Sequence, residues 1–493
     1  MEQDCMSEEL NADNQPEGMP RSQVIGLILG AAFLLATILL PPPETMSGQA
    51  WSALGLMLLM ATWWSTEAIP IPATALLPIV LVPALGLGTV GEATEPYANP
   101  IIFLFLGGFT LGLAMQRWNL HRRIALMTLK AVGSKPRRQI AGFMLATAFL
   151  SMWVSNTATA IMMLPIGLSV VAMMDTNDNP EGVRRYATAL LLAIAYSASI
   201  GGIATLIGTP PNALLAAYLS ENQGVSVGFA QWMLLGVPVT IVMLVLAWWW
   251  LTRRDFGLGN SGDGGKAIRQ ELEALGTLGK GEKLVALVFL VTASAWIFRP
   301  LLSDRLMPWL SDTGIAIAAA IAMFLIPVNT RNREFLLDWE TAKGIPWGVL
   351  LLFGGGLAMA GVISSSGLAE WIAQSLGVAG ALPMLVMILL VVGVIIFLTE
   401  VTSNTATAAA FLPLLGALAL SQGVSPLLLT VPAAIAASCA FMMPVATPPN
   451  AIVFSSGHMQ IGDMIRAGFA LNLLGIVVVT VLSYLLLGVV FTL

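Results

Sequence analysis

The sequence contains little charge for its length. Charged residues make up only 10% of its 493 residues, whereas hydrophobic residues make up 57%. A water-soluble protein of this size needs far more charge to cover its surface. Apolar runs of about 20 residues, the length of a membrane-crossing helix, follow one another from residue 22 onward. The shortage of charge excludes a soluble protein and predicts an all-α polytopic membrane protein in a lipid bilayer.

Cysteine, histidine and clustered basic residues are also scarce. The chain has two cysteines, Cys5 and Cys439, and two histidines, His121 and His458. We expect no disulfide, because Cys5 lies in a polar tail and Cys439 in an apolar run. Two histidines without further ligands at a suitable spacing do not suggest a metal cofactor. The net charge of −5 is spread over loops, and no basic stripe suggests a nucleic-acid partner.

Two apolar segments, 139–174 and 382–420, are too long for one crossing, and each has a polar break at its middle. They predict re-entrant hairpins that enter and leave the membrane on the same side. With eleven further spans and a cytoplasmic N-terminus, the 22 Lys and Arg residues all fall inside except Arg299 and Arg305. Treating either segment as an ordinary span would spoil this sorting. We therefore predict about 11 transmembrane helices plus two hairpins, with the C-terminus outside.

These segments divide the chain into two halves joined by a glycine-rich linker. The predicted regions are a disordered cytoplasmic tail (1–21), a first transmembrane half (22–254), a cytoplasmic linker (255–282) and a second transmembrane half (283–493). Each half is expected to combine scaffold helices with a hairpin and a broken helix. These elements are hairpin 139–174 and broken helix 186–220, then hairpin 382–420, broken helix 427–456 and a last span over 467–492.

The two predicted hairpins are copies of each other. Leu150–Ile166 reads LSMWVSNTATAIMMLPI and Leu398–Leu414 reads LTEVTSNTATAAAFLPL, at an offset of 248 residues. A second pair follows, GTPPNA over Gly208–Ala213 and ATPPNA over Ala446–Ala451. Two different shared motifs in the same order make chance a poor explanation.

A weaker repeat precedes the hairpins, with LGG at 106–108 and FGGG at 353–356. By the charge sorting, the first hairpin opens to the cytoplasm and the second to the outside. The repeats are therefore predicted to be inverted. Inverted repeats with helices broken near the membrane midplane are typical of secondary transporters.

A broken helix exposes unpaired backbone groups at membrane depth. The N–H groups at half-helix N-termini favour an anion, and carbonyls at the opposite ends favour a cation. We expect Pro210–Pro211 and Pro448–Pro449 to stop their helices and to leave carbonyls near Gly208 and Ala446 free to face an ion.

The hairpin motifs add hard, neutral oxygen ligands that suit Na⁺. Ser151 and Ser155 are four residues apart and are expected to lie on one helix face, beside Asn156. Thr399 and Ser403 repeat this spacing beside Asn404. The alternative for such residues in membrane helices is hydrogen bonding between helices.

No Lys or Arg lies within these motifs, so a dianion would be held by dipoles, amides, hydroxyls and nearby bound cations. This predicts coupling, because nothing else in the site offsets a double negative charge. Glu400 is the one acid in this core, and its counterpart in the first half is Met152. It is expected to tune the second cation site, to carry a proton, or to bond neighbouring amides as a structural carboxylate. These alternatives stay open.

At these motifs the chain resembles the divalent-anion:sodium symporter family, of the bacterial dicarboxylate transporter type. The resemblance implies a homodimer in which a scaffold domain holds a transport domain that moves like an elevator. It implies one sodium at Ser151, Ser155, Asn156 and the Gly208 carbonyl, and a second at Thr399, Ser403, Asn404 and the Ala446 carbonyl. It implies substrate contacts at Asn156, Thr157, Asn404 and Thr405, with the Thr209–Pro210 and Thr447–Pro448 loops close by.

The predicted function is import of C4-dicarboxylates, such as succinate, malate or fumarate, by sodium symport across the plasma membrane (the inner membrane in a Gram-negative cell). Na⁺ is the coupling ion, and no other cofactor is expected. An anion exchanger and a sulfate or citrate carrier of the same fold are the alternatives. A membrane-embedded enzyme would need an activated nucleophile with a base, or a metal cluster. Neither histidine is placed to serve the serines of the SNT motifs, so we expect no enzyme.

Overall fold

The computed structural model of the protein describes residues 19–133, 135–174, 179–258, 264–305, 307–375 and 382–491. Residues 1–18 of the predicted disordered tail lie outside the described residues. Helices form nearly all of the described chain. Those before the predicted linker are α1 (Arg21–Leu39), α2 (Gly48–Thr66), α3 (Ile71–Thr74), α4 (Leu77–Ala84), α5 (Val90–Thr94), the 3₁₀ helix η1 (Glu95–Ala98), α6 (Pro100–Arg117), α7 (Leu120–Val132), α8 (Pro136–Ser151), α9 (Asn156–Met173), α10 (Pro180–Gly202), α11 (Pro210–Gln223) and α12 (Phe229–Thr252).

The rest of the chain begins with a helix inside the predicted linker and continues through the second half. Its helices are α13 (Gly264–Ala274), α14 (Lys280–Arg305), α15 (Asp312–Leu325), α16 (Trp339–Ala342), α17 (Trp347–Ser365), α18 (Leu368–Ser375), α19 (Met384–Thr399), α20 (Asn404–Ser421), α21 (Leu427–Ala437), α22 (Pro448–Phe454) and α23 (Ile461–Val490). One short antiparallel pair, β1 (Pro327–Asn329) and β2 (Glu334–Phe335), follows α15.

Among the described residues, eight helices are long and apolar enough to cross a membrane. Four shorter apolar helices accompany them, two of which are the first arm of the second hairpin and α21. These findings confirm an all-α polytopic membrane protein. The count of 11 spans stays a prediction.

Both predicted hairpins consist of two helices separated by a four-residue break. The breaks are residues 152–155, between α8 and α9, and residues 400–403, between α19 and α20. Each break interrupts a segment that would otherwise be too long for the bilayer. The helix ends lie within a few residues of the ends of the apolar segments 139–174 and 382–420, and the re-entrant topology stays a prediction.

The proline pairs begin helices, so the expectation that they stop them was wrong. Pro210 and Pro448 are the first residues of α11 and α22. The preceding helices already end at Gly202 and Ala437. The first turn of a helix needs no intrahelical N–H donor, and the fixed φ of proline suits that position. The unwound segments are therefore 203–209 and 438–447, longer than the sequence suggested.

Contacts between distant residues favour the re-entrant hairpins. Arg123 and Glu282 form an ion pair of 2.8 Å, with both side chains about nine-tenths buried. The first hairpin and two predicted spans lie between them, so only a hairpin that returns to its own side lets them meet. The Thr188 hydroxyl likewise lies 3.4 Å from the His458 carbonyl. An even number of predicted spans and the second hairpin separate those two residues.

The predicted linker contains a packed helix. Helix α13 contacts both α7 and α9, the second arm of the first hairpin. Its Ala267 and Ile268 are buried, and Glu271 pairs with Arg122 of α7. The linker is therefore an amphipathic helix that covers the hairpin arm, in addition to being a tether.

The glycine repeat marks close helix packing at the same 248-residue offset as the hairpins. A Cβ on Gly107 of α6 would lie 2.6 Å from the backbone of Ala316 in α15. A Cβ on Gly355 of α17 would lie 2.3 Å from the carbonyl oxygen of Ala75. Only a residue without a side chain allows the two backbones to approach this closely.

Candidate ion and substrate site

The tip of the first hairpin is held by an aromatic cluster. Trp153 lies in the break, and its ring centroid is 5.1 Å from that of Phe289 and 6.0 Å from that of Phe229. The Trp296 ring is parallel to the Trp153 ring, at 6.4 Å. These rings from α12 and α14 fix the break that separates Ser151 from the following helix.

The four-residue spacing does not place the hydroxyls on one helix face, so that expectation was wrong. Helix α8 ends at Ser151, and Ser155 caps α9 by accepting a hydrogen bond of 3.3 Å from the Ala158 N–H. Thr399 likewise ends α19, and Ser403 is the N-cap residue of α20. The two residues of each pair therefore lie at the end of one helix and the start of the next, and a cation bound by both would bridge the break.

Ser151 stands at the centre of a cluster of oxygen atoms. Its hydroxyl oxygen, fully buried, lies 2.5 Å from Asn156 Oδ1 and 2.7 Å from the Ala198 carbonyl oxygen. A hydroxyl has one hydrogen and can donate it to only one of these acceptors at a time. The Ser151 hydroxyl therefore shares its proton between two acceptor oxygens.

Thr399 repeats this arrangement in the second half. Its hydroxyl oxygen lies 2.7 Å from Asn404 Oδ1 and 3.0 Å from the Ala437 carbonyl oxygen, and its side chain is fully buried. Each half therefore brings together a hydroxyl, an amide oxygen and the last turn of a broken helix. A cation would relieve the repulsion among such oxygens.

Gly202 brings the broken helix close to the first cluster. A Cβ at this position would lie 2.8 Å from Asn156 Oδ1 and 3.0 Å from the Gly208 carbonyl oxygen. The predicted ligands Asn156 and Gly208 are thus both close to the position that a Cβ on Gly202 would occupy. In the second half the equivalent of Gly202 is Ala440, and Ala446 is buried at the end of the equivalent loop. The sequence did not single out Gly202, whose glycine requirement comes from this close approach.

Four half-helix N-termini belong to the site. Helices α9, α11, α20 and α22 begin at Asn156, Pro210, Asn404 and Pro448. Helix α9 packs against α22 of the other half, and α20 packs against α11. The Ser438 hydroxyl also donates a hydrogen bond of 3.4 Å to the Thr209 hydroxyl across the two halves. The second arm of each hairpin therefore packs against the helix that follows the unwound segment in the other half.

The other predicted substrate contacts lie at these helix starts. Thr157 and Thr405 are the second residues of α9 and α20, and Thr209 and Thr447 are the N-caps of α11 and α22. At the starts of α9 and α20 the first-turn N–H groups have no intrahelical acceptor and lie at the positive end of the helix dipole. Helices α11 and α22 begin with two prolines, which have no N–H, so these helices would contribute their dipoles and the threonine hydroxyls. The arrangement is suited to carboxylate oxygens.

Glu400 holds the unwound segment of the second half. Its buried carboxylate accepts hydrogen bonds from the N–H groups of Phe441 (2.7 Å), Met442 (2.9 and 3.0 Å) and Met443 (3.0 Å). The Asn472 amide donates a further bond of 2.7 Å. These contacts favour the structural carboxylate among the alternatives left open above. The one carboxamide side chain of the apolar last span was the signal for Asn472, and the sequence analysis did not use it.

Comparison with solved structures shows the fold. The YdaH transporter of Alcanivorax borkumensis aligns with a TM-score of 0.57 and 15% identity, over 95% of this chain and 99% of that chain. MtrF of Neisseria gonorrhoeae aligns with a TM-score of 0.54 and 13% identity, over 95% of each chain. At these identities the similarity concerns architecture alone.

Sequence relatives are much closer. The sodium-dependent dicarboxylate transporter SdcS of Staphylococcus saprophyticus is 45% identical over 476 residues, covering 94% of this chain and 91% of its own. SdcS of Staphylococcus aureus is 44% identical over 477 residues, covering 95% and 92%. The family model for the sodium:sulfate symporter transmembrane region matches residues 21–493. The chain therefore belongs to the sodium:sulfate symporter family, which confirms the divalent-anion:sodium symporter resemblance of its motifs.

Proposed function

We propose that the protein imports C4-dicarboxylates such as succinate, malate and fumarate together with sodium ions. The observation that supports this most is the pair of largely buried oxygen clusters at Ser151 and Thr399, in each of which one hydroxyl lies close to two acceptor oxygens. The staphylococcal relatives, which share nearly the whole chain, are sodium-dependent dicarboxylate transporters. Bound sodium ions would explain why these oxygen atoms are clustered.

Two sodium sites follow from this proposal. The first uses Ser151, Ser155, Asn156 and the Gly208 carbonyl, and the second uses Thr399, Ser403, Asn404 and the Ala446 carbonyl. All these ligands are neutral oxygens, so a hard monovalent cation binds without the cost of burying paired carboxylates.

Substrate carboxylates would meet Asn156, Thr157, Asn404 and Thr405 at the starts of α9 and α20. The Thr209–Pro210 and Thr447–Pro448 loops would complete the site. No Lys or Arg occurs in these motifs. A dianion at this depth would therefore be stabilised by helix dipoles and by the two sodium ions, which explains why transport of one requires the other.

In addition to its structural role, Glu400 would tune the second site electrostatically. It directly follows Thr399, and its carboxylate fixes the loop that leads to Ala446. A buried negative charge at this position favours a nearby cation. Met152 takes the equivalent position in the first half, so the two sodium sites would differ in affinity.

The elevator motion is part of the proposal, and small residues on two helices support it. Gly108 of α6 faces Ile207 in the first unwound segment, and Gly112 faces the tip of the first hairpin near Val154. In α17 the equivalent residues, at the same offset of 248, are Gly356 and the buried Ala360. Small residues of this kind let neighbouring elements pack closely against the helix without interlocking side chains, and we propose that the elevator motion runs along these faces.

Assembly and orientation stay predictions alongside this proposal. A homodimer in the plasma membrane, with the N-terminus cytoplasmic and the C-terminus outside, would appear as twice the chain mass in light scattering. Labelling of cysteines introduced at the two chain ends in intact cells would report their sides.

Catalysis is less well supported than transport. The Ser151 hydroxyl contacts an amide oxygen and a carbonyl oxygen, neither of which is a base that would activate it as a nucleophile.

An exchanger and a sulfate or citrate carrier remain the alternatives of the same fold. Thermal unfolding of the purified protein separates substrates: succinate should raise the midpoint in sodium buffer and have no effect in choline buffer. Stabilisation by sulfate or citrate alone would contradict the proposed substrate class.

A further inference from the structure

The last residue of each TPPN motif is a buried asparagine that the predicted site did not include. Asn212 is the third residue of α11, and Asn450 is the third residue of α22. Both side chains are fully buried. They follow the loops that carry the proposed ligands Gly208 and Ala446.

Asn212 folds the first unwound segment back onto its own helix. Its Nδ2 atom lies 2.8 Å from the carbonyl oxygen of Thr205, 3.2 Å from that of Gly202 and 3.3 Å from that of Ile203. These acceptors include the last residue of α10 and the middle of the loop. One side chain therefore joins the two pieces of the broken helix.

Asn450 does the same in the second half. Its Nδ2 atom lies 3.0 Å from the Met443 carbonyl oxygen and 3.2 Å from the Ala440 carbonyl oxygen. These acceptors lie seven and ten residues before Asn450, the same spacing as Thr205 and Gly202 before Asn212. The contact is thus a feature of both repeats, although the loops differ in sequence.

Both asparagines leave their other polar atom unused. Asn212 Oδ1 and Asn450 Oδ1 are buried and have no hydrogen-bond partner among the described residues. An unpaired buried carbonyl is unfavourable, and a leucine of similar size would avoid it. The presence of asparagine at these positions is therefore better explained by the loop carbonyls that the Nδ2 atoms hold than by a general contribution to stability.

We propose that Asn212 and Asn450 are positioning residues that set the Gly208 and Ala446 carbonyls for sodium. Each ligand carbonyl lies in the chain between the carbonyls bound by Nδ2 and the asparagine itself. Fixing both ends of this short loop fixes the carbonyl within it, to the tolerance that an ion site needs. The inference rests on the sodium symport proposed above.

The two halves should respond unequally. The second loop is also held by Glu400, through the N–H groups of residues 441–443. In the first half Met152 occupies the equivalent position, and neutral donors hold the loop instead: the Thr205 hydroxyl donates to the Met152 carbonyl, and Trp232 Nε1 donates to the Ile203 carbonyl. Such neutral bonds are weaker than bonds to a carboxylate. Loss of Asn212 should therefore displace its loop further than loss of Asn450.

The test uses Asn212→Leu and Asn450→Leu in the full-length protein, with Asn→Ala at each position as second variants. Sodium is titrated while uptake of labelled succinate into proteoliposomes is measured. We expect half-saturating sodium to rise about tenfold for Asn212→Leu, the size of one lost net hydrogen bond, and by less for Asn450→Leu. Maximal uptake at saturating sodium should stay within about twofold, because the substrate groups at the starts of α9 and α20 are untouched and bound sodium restores the loops that lead to Thr209 and Thr447.

Thr480→Val is the matched control, since Thr480 is a buried polar residue of α23 outside the site, and its half-saturating sodium should be unchanged. Reduced maximal uptake with unchanged sodium dependence would overturn the positioning role. Failure of all four asparagine variants to fold, while Thr480→Val folds, would overturn it in favour of a folding role. Wild-type uptake that does not depend on sodium would overturn the proposed function itself. Measuring the wild-type protein therefore distinguishes failure of the proposed function from failure of the positioning role.

Discussion

Glu400→Gln is the most informative single substitution in the second half. The carboxylate accepts bonds from three consecutive backbone N–H groups and from Asn472. Glutamine keeps one acceptor oxygen and places an NH₂ group where the second oxygen was. The Met443 N–H, which contacts only that second oxygen, would then face another donor.

The expected loss follows from these bonds. A buried donor left unpaired costs about 1–3 kcal/mol, and each remaining bond loses about 1 kcal/mol when its acceptor is no longer charged. These terms are not additive, so we expect the free energy of unfolding to fall by about 3–5 kcal/mol, as for other broken buried charge interactions. The loosened loop should also raise half-saturating sodium, because it leads to Ala446.

Denaturant unfolding in detergent and sodium-dependent uptake measure the two effects. The control is Glu340→Gln, because Glu340 is exposed and, within the described part of the chain, its carboxylate pairs only with the nearby Lys343. Its free energy of unfolding should change by less than about 0.5 kcal/mol. A Glu400→Gln protein within about 1 kcal/mol of wild type, with unchanged sodium dependence, would refute the role assigned to this carboxylate.

Three further predictions follow from the site and its surroundings. Asn156→Ala and Asn404→Ala should each abolish succinate uptake while expression stays normal, and near-normal uptake in both would contradict the assignment. Gly202→Ala should weaken sodium binding strongly, because its Cβ would lie 2.8 Å from Asn156 Oδ1, whereas Ala440→Gly should be tolerated; equal sodium titrations of the two variants would count against the first sodium site. Gly108→Leu should slow uptake at saturating sodium without changing half-saturating sodium, and an unchanged rate would argue against sliding along α6.

Much of the architecture was predictable because it depends on length and repetition. The length of the apolar segments predicted the two hairpins. The 248-residue offset identified them as repeats without any tertiary information. The same offset extends to Gly107 and Gly355, whose contacts with neighbouring backbones are equivalent. Apolar length and repeated motifs are properties of the sequence itself, so they can be recognised without knowing the fold.

The details of the breaks were harder to predict, for physical reasons. A proline pair suits both the end of one helix and the start of the next, so the sequence could not decide that Pro210 begins α11. Ser151 and Ser155 have helical spacing, yet the helix ends between them. The partners of Glu400 lie up to 72 residues away, at Asn472, and only the folded chain brings them together. The amphipathic helix in the linker was hidden by its glycine-rich surroundings.

Succinate uptake into proteoliposomes without internal substrate tests the central claim most directly. Labelled succinate is added with and without an inward sodium gradient. Accumulation that requires the gradient, and that unlabelled malate and fumarate suppress, is the result expected from two sodium sites beside a dianion site. Uptake that ignores sodium but requires internal dicarboxylate would mean exchange, and would remove the cation roles given to Ser151 and Thr399.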